Sequence, residues 1–421
     1  MEFKAGEEAG WHVILGSNGS GKSSLVRSFA LVLMGEKEAY AARQEFDTWV
    51  RSDSLTATIE VNVTGDREFD ILTGGGNWPS RAINGQVTIL VSPDRNRTDL
   101  KFTGSGMQRT IWGGGAGWFS ASFGPFRRFS GGDSKYDRLF VSNKRLAPHL
   151  TALGEDVALT DAMEWLSNLF VRAIREDAAS GPSGVVQTLM REVVNFINNT
   201  GFFPQNEAIS LLANDFVHVA DANGFSIPFD QLSDGYRSAL SFVLELLRQM
   251  VELYGIDTML TALTKHPGTV HAPGVVMIDE VDTHLHPTWQ RDIGKWLTKC
   301  FPLVQFIVTT HSPIVCRAVA APDGTIKGSI WKLPALGAED NFRRVDELEL
   351  EKLIFGDVLD AYSTELFGVN VIRSSEGEQK LVRLAELNLK ALEGPLNAAE
   401  ESERNHLRAA FPTGTIGLES D

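Results

Sequence analysis

The stretch WHVILGSNGSGKSSLVRSFALVLMG sets a short apolar run, a glycine-rich turn and a segment carrying Leu25, Phe29, Leu31 and Leu33 in immediate succession. Inside it, Gly16, Ser17, Asn18, Gly19, Ser20, Gly21, Lys22 and Ser23 match the pattern G-x-x-x-x-G-K-[ST] without a mismatch. This pattern constrains the fold more than any other feature, because it works only between a strand and a helix. Glycines let backbone N–H groups turn inward around α and β phosphates, and the following helix offers its positive end. Lys22 reaches the β and γ oxygens, and the Ser23 hydroxyl is placed on Mg²⁺. Ser24 extends the nucleotide-contacting stretch by one residue. Strand, loop and helix are therefore expected in that order, within an α/β domain.

Composition narrows the class. A chain of 421 residues that is 43% hydrophobic can bury a substantial core. Its two cysteines, Cys300 and Cys316, offer no disulfide framework and suit a reducing, cytoplasmic compartment. No stretch approaches the roughly 18 apolar residues of a membrane span, and no membrane association is expected. The net charge of -15 argues against a surface broadly attractive to DNA or RNA, although a local basic groove stays open. The basic pairs Arg127–Arg128, Lys144–Arg145 and Arg343–Arg344 are expected to be solvated.

Periodicity then divides the chain. From Leu55 to Val91, Ile59, Val61 and Val63 alternate with polar residues and QVTILVS follows, which predicts an antiparallel β lobe. Helical spacing takes over between about residues 137 and 200, with Trp165, Leu166, Leu169, Phe170 and Ile174 in one run and Val186, Leu189, Val193 and Ile197 in the next. Asn223 and Gly224 separate two alternating segments as a hairpin turn. A helix over 238–254, a strand over 275–278, a helix over 288–300 and a strand over 304–309 predict a parallel α/β layer. Leu381, Leu384, Leu387 and Leu392, closed by Gly394 and Pro395, open a helical hairpin ending near Ala410. The expected divisions are 1–130 (P-loop and β lobe), 131–205 (helical lobe), 206–336 (second part of the P-loop domain) and 337–421 (helical extension).

Three further elements carry chemistry. GVVMIDEVDTHLHP is an apolar strand ending in two carboxylates: Asp279 is placed to hold Mg²⁺ through water, and Glu280 to orient and deprotonate an attacking water. Exposed acids at a capped strand end are the plain alternative for this pair alone. In LSDG, the Ser233 hydroxyl, Asp234 and the Gly235 N–H open a helix, forming either an anion site or an ordinary N-cap. QFIVTTHSPIV puts His311 after an apolar strand, with Ser312 as N-cap and Pro313 at the first helical position. A lone His there is more often structural; one helix after the carboxylate strand, it fits a γ-phosphate sensor. His284 and His286 lack a further ligand in register for a metal, and Trp289, Ile293 and Trp296 read as core.

In their order, P-loop, LSDG, DExD and TTHS resemble the SMC/RecF-type ABC ATPases from residue 10 to about 335. IDEVDTHLHPTWQRDIGKWL with FIVTTHSPIV is similar to OLD-like ATPases and to the ATPase component of Septu-type anti-phage systems. The resemblance implies an α/β P-loop ABC-type head with a β lobe, a short helical lobe and a C-terminal helical extension. It implies ATP and Mg²⁺ as ligands, with Lys22, Ser23, Asp279, Glu280 and His311 acting in cis. Ser233 and Gly235 would reach across a head-to-head homodimer, or a larger oligomer, with Asp282 in the loop between its sites. A partner nuclease of HNH type is implied by the Septu likeness. Tyr236 stands where Gln or Glu is usual, no glutamine marks the Q-loop within GWFSASFGPFRRF, and relatives place a further strand ahead of the P-loop strand, so that either the chain start is truncated or mis-assigned or that edge strand is missing. Competing readings are a DNA-repair or chromosome-maintenance ATPase, an OLD-type nuclease, which would need a D-x-D where only Asp357 and Asp360 stand, and a nucleotide-gated interaction protein with negligible turnover.

Overall fold

In the computed structural model, β1 (Gly10–Leu15) is buried at all six positions because parallel strands hydrogen-bond to it on both sides. The structure describes all residues except 5, 126–142, 155–160, 181–183, 204–206, 212–216, 221, 222, 224, 284, 322, 336–340, 357–360, 362–374 and 411–421. Besides β1, the strands are β2 (Thr56–Val63), β3 (Ile83–Val91), β4 (Thr98–Thr103), β5 (Ser120–Phe123), β6 (Ala208–Leu211), β7 (Val217–Ala220), β8 (Ser226–Pro228), β9 (Gly274–Ile278), β10 (Val304–Thr310), β11 (Gly328–Lys332) and β12 (Arg343–Arg344). The main sheet has the order β12-β11-β1-β10-β9-β5, parallel except for the β11–β12 pair. Continuous apolar runs such as HVIL and GVVMI are what a parallel strand covered on both faces requires.

The expected β lobe is an antiparallel sheet, β2-β3-β4, and gains one strand beyond the alternating segments. Val87 and Ile89 of β3 share one core with Val26, Ala30 and Leu31 of the P-loop helix, Lys22–Met34, so the lobe backs the helix that follows the loop. The helical lobe comprises Asp161–Ser180 and Val185–Asn199. Leu166 and Leu169 are buried as expected, whereas Ile174 is 50% exposed because Ala173 takes the inward position in that turn. The hairpin around Asn223 joins β7 to β8, with Ala220 opposite Ser226; Gly224 lies outside the described residues.

Helix Pro287–Cys300 packs directly on the sheet at Gly294, where a Cβ would come 2.8 Å from the Trp11 ring and 2.5 Å from Ala318 Cβ. Ile293 and Trp296 are core residues, while Trp289 is half-buried and edges onto Tyr236, their ring centroids 5.8 Å apart. The basic pairs are not all solvated. Arg145 is half-buried and donates to the Gly115 carbonyl at 2.5 Å, and Arg344 is half-buried against Glu7 at 2.9 Å. Arg127 and Arg128 lie outside the described residues.

The chain divides into two compact units, Met1–Gly356 and Asp357–Asp421. In the second, helices Ser375–Glu393 and Ala398–Ala410 pair through Leu384, Leu387 and Leu407, with Arg383 bonded to Glu403 and Lys390 to Glu400. Leu392 is 86% exposed in that unit, at the far end of the apolar series. Asp357 and Asp360 lie outside the described residues. Among the described residues, no helix is long and apolar enough to cross a membrane.

Among the described residues two histidines are buried, one within the sheet and one beside it. His12 of β1 bonds Ser329 Oγ at 2.9 Å, and His149 lies between Ser122 Oγ at 2.7 Å and Ser120 Oγ at 3.1 Å. Burial, with the nearby Arg145 charge, pushes the His149 imidazole down to about 3, and burial pushes His12 to about 4. The unfolded chain takes up these protons near the ordinary 6.5, so their contribution to stability is full above that pH and declines as pH falls towards the folded values. Urea unfolding measured from pH 7 to pH 4 should show stability falling with acidity, and His149→Gln should flatten that slope. An unchanged slope in the variant would reject His149 as a contributor.

Candidate nucleotide-binding site

The parallel register fixes where the chemistry gathers. Leu15 pairs with Thr310 and Val308 with Ile278, so Gly16, His311 and Asp279 leave adjacent strands at the same end of the sheet. Phe123 pairs with Ile278 and its carbonyl accepts from Asp279 N at 2.8 Å, which sets the segment from Gly124 beside the carboxylates. That segment is the stretch read as resembling a Q-loop; its residues 126–128 lie outside the described ones.

The loop after β1 turns on glycine. Gly19 and Gly21 adopt φ of 77° and 94°, conformations that L side chains rarely take. At Gly16 a Cβ would stand 2.3 Å from Ser20 Oγ, so a side chain there would fill the loop. Lys22 opens the following helix and folds back, its Nζ donating to Gly16 O at 2.8 Å and Ser17 O at 3.1 Å. Burial draws the ammonium down from the ordinary lysine range, and Glu280, Asp279 and Asp282 pull it back up. The ammonium and the three carboxylates therefore share one electrostatic neighbourhood. Ser20 Oγ is buried and has no hydrogen-bond partner among the described residues. A buried hydroxyl without a partner among the described residues, glycines at positive φ in the loop, and the hard oxygen donors Ser23 and Asp279 fit a phosphate chain with Mg²⁺.

Asp279 is buried at 3% exposure, and Glu280, next along, has a positive φ of 46°. A non-glycine residue in that region costs about 1–2 kcal/mol and persists only where its surroundings hold it. The turn after β9 is tied to β10: Val281 N bonds Thr309 O at 3.0 Å, Glu280 N bonds Thr309 Oγ1 at 2.8 Å, and Thr309 Oγ1 donates to Asp279 Oδ1 at 2.5 Å. Thr310 Oγ1 donates to Asp282 Oδ1 at 2.5 Å. Gln290 donates to the carbonyls of Asp282 and Leu285 and accepts from Ser312 Oγ at 2.9 Å, joining the carboxylate turn to the turn that carries His311. His311 is legible in the sequence as a site residue, whereas Thr309, Thr310 and Gln290 are not. A side chain that bonds another turn leaves no periodic trace, and only the hydroxyls inside an otherwise apolar strand could have drawn notice.

Ser233 N-caps helix Asp234–Tyr254, but its side chain makes no capping hydrogen bond, so the ordinary cap alternative does not hold for the hydroxyl. Ser233 is exposed and borders a cavity of about 250 Å³ with Phe203, Glu207, Ile227 and Tyr236. Tyr236 packs on Phe203 and Trp289, with centroids 6.0 and 5.8 Å apart, so the residue that departs from the usual Gln or Glu joins the start of this helix to helix Pro287–Cys300. His286 caps the latter helix through its ring nitrogen, 3.4 Å from Thr288 N; His284 lies outside the described residues.

Several known proteins resemble the chain that carries this geometry. Residues 133–317 match the family model AAA_21, described as "AAA domain, putative AbiEii toxin, Type IV TA system", a span holding Ser233, Asp279, Glu280 and His311. The chain is similar to an AAA domain over this span and to the Septu protein PtuA over more of its length. In particular, it is 26% identical over 327 residues to the Septu protein PtuA of Bacillus mycoides, a match covering 74% of this chain and 35% of that one. It is 39% identical over 101 residues to the "Retron Ec83 probable ATPase" of Escherichia coli, covering 24% of this chain and 17% of that one. An SMC head solved with the C-winged helix domain of ScpA superposes with a TM-score of 0.44 at 14% identity, covering 82% of this chain and 92% of that one. The chain thus spans about a third or less of the length of these curated relatives.

The buried ammonium supplies a direct test. Lys22→Ala should weaken binding of a fluorescent ATP analogue at least about tenfold, the scale of one lost charge-assisted contact. Unchanged affinity would show that phosphate does not lie in this loop.

Proposed function

We propose that this chain binds ATP with Mg²⁺ and hydrolyses it, two copies closing head to head around the nucleotides, as the ATPase of an anti-phage defence system that governs a separately encoded nuclease. One observation carries the ATPase reading: β1, β9 and β10 deliver a P-loop lysine, two consecutive carboxylates and His311 to one end of the sheet, with Lys22 in the field of Asp279 and Glu280. Lys22, the P-loop N–H groups and the start of helix Lys22–Met34 bind and orient the phosphates. Ser23 and Asp279 would hold Mg²⁺, which would supply positive charge to the phosphate chain. Glu280 orients a water and takes its proton, and His311 bonds the γ-phosphate. Ser233 and Gly235, at a helix start whose serine hydroxyl makes no cap bond, donate to the γ-phosphate held by the other head. Loss of that phosphate removes the bridge, and the two heads separate.

The defence role is supported by the likeness to the Septu protein PtuA and to the retron ATPase, and the nuclease partner by the Septu likeness alone. Glu280→Gln should slow phosphate release by roughly 10² to 10⁴ while leaving nucleotide affinity intact. In that variant ATP should shift the sedimentation coefficient from monomer to dimer, and adding Ser233→Arg should abolish the shift without loss of binding. Turnover within about threefold of the parent would discard Glu280 as the base. A mass unmoved by ATP would discard head closure.

A further inference from the structure

The inference concerns Thr309 and rests on the nucleotide reading above. Thr309 is fully buried, and its side chain is placed between two groups of the carboxylate turn. Its one hydroxyl proton goes to Asp279 Oδ1 at 2.5 Å, and its oxygen accepts from Glu280 N at 2.8 Å. The first bond fixes the rotation of the Asp279 carboxylate. The second holds the peptide of Glu280 where its φ of 46° is otherwise unfavourable. Thr310, the next residue, serves a different carboxylate, Asp282, so successive residues of one strand hold successive parts of one turn. A packing role alone would need the methyl of Thr309 and not its hydroxyl, since valine has nearly the same shape. Each hydroxyl bond instead ends on a group whose aim the reaction depends on.

We propose that Thr309 is a positioning residue for hydrolysis: a single hydroxyl that aims the Mg²⁺-holding carboxylate of Asp279 and, through the backbone, the proton-accepting side chain of Glu280. Its removal then acts on the Mg²⁺-dependent part of nucleotide binding and on turnover together, and leaves Mg²⁺-free nucleotide binding alone.

The test measures affinity for a non-hydrolysable ATP analogue with Mg²⁺ and with EDTA, alongside kcat, in the full chain. For Thr309→Val the tightening that Mg²⁺ confers should shrink at least about fivefold and kcat should fall about 10- to 100-fold, the range for a lost hydrogen bond to a charged group. Affinity in EDTA should stay within about twofold, and Thr309→Ser, which keeps the hydroxyl, should restore both quantities to within about threefold. A Thr309→Val protein with a lower melting temperature but undiminished tightening by Mg²⁺ overturns the assignment, and so does failure of serine to rescue. Should the valine variant not fold by circular dichroism, Thr309→Cys, of similar size and a poor donor, is read by the same criteria. Parent protein that binds the analogue no better with Mg²⁺ than without it overturns the nucleotide reading itself, which separates that failure from one confined to the valine variant.

Discussion

The parallel pairing of β1 with β10 and of β10 with β9 is the constraint on which the rest depends. Parallel strands carry their C-terminal ends to one side of the sheet, and ligands of open α/β sheets collect there. Here that single register brings Gly16, His311 and Asp279, which are far apart along the chain, to neighbouring exits. Sliding one strand by two residues would keep every side chain on its face, yet would pull Thr309 away from Asp279 and Glu280. The buried apolar runs supply the free energy of the sheet, and the hydroxyl bonds at its end select one alignment.

Electrostatics and backbone conformation reinforce each other at that edge. Lys22 is buried, which alone would disfavour its charge, and carboxylates of the turn after β9, two strands away in the sheet, offset part of the penalty. Its bonds to the carbonyls of Gly16 and Ser17 keep the loop in shape around a positive charge. Across the edge, Glu280 keeps a positive φ that no local preference supports, and β10 holds it there. Gln290 continues the connection to Ser312, so the turn with Asp282 and the turn with His311 cannot move independently without breaking polar bonds.

The aromatic contacts around Tyr236 give the helix beginning at Asp234 a comparable anchorage. Phe203 and Trp289 hold its first turn from two sides, and Trp289 belongs to the helix that also supplies Gln290. Tyr236 therefore serves as a packing residue at this position.

Local pieces were legible along the chain alone: the P-loop from its glycines and lysine, the carboxylate strand from its apolar run into Asp279 and Glu280, and the β lobe from its alternation. These signals depend on neighbours along the chain, where spacing reports which face is buried and which backbone angles are allowed. Arg145 and Ile174 went against their local pattern because long-range packing decides whether a particular polar or apolar side chain is covered. Strand order, the bonds of Thr309 and Thr310, the Gln290 bridge and the positive φ of Glu280 were decided only by tertiary structure. Each joins groups distant in sequence, and a hydrogen bond between two turns has geometry but no period.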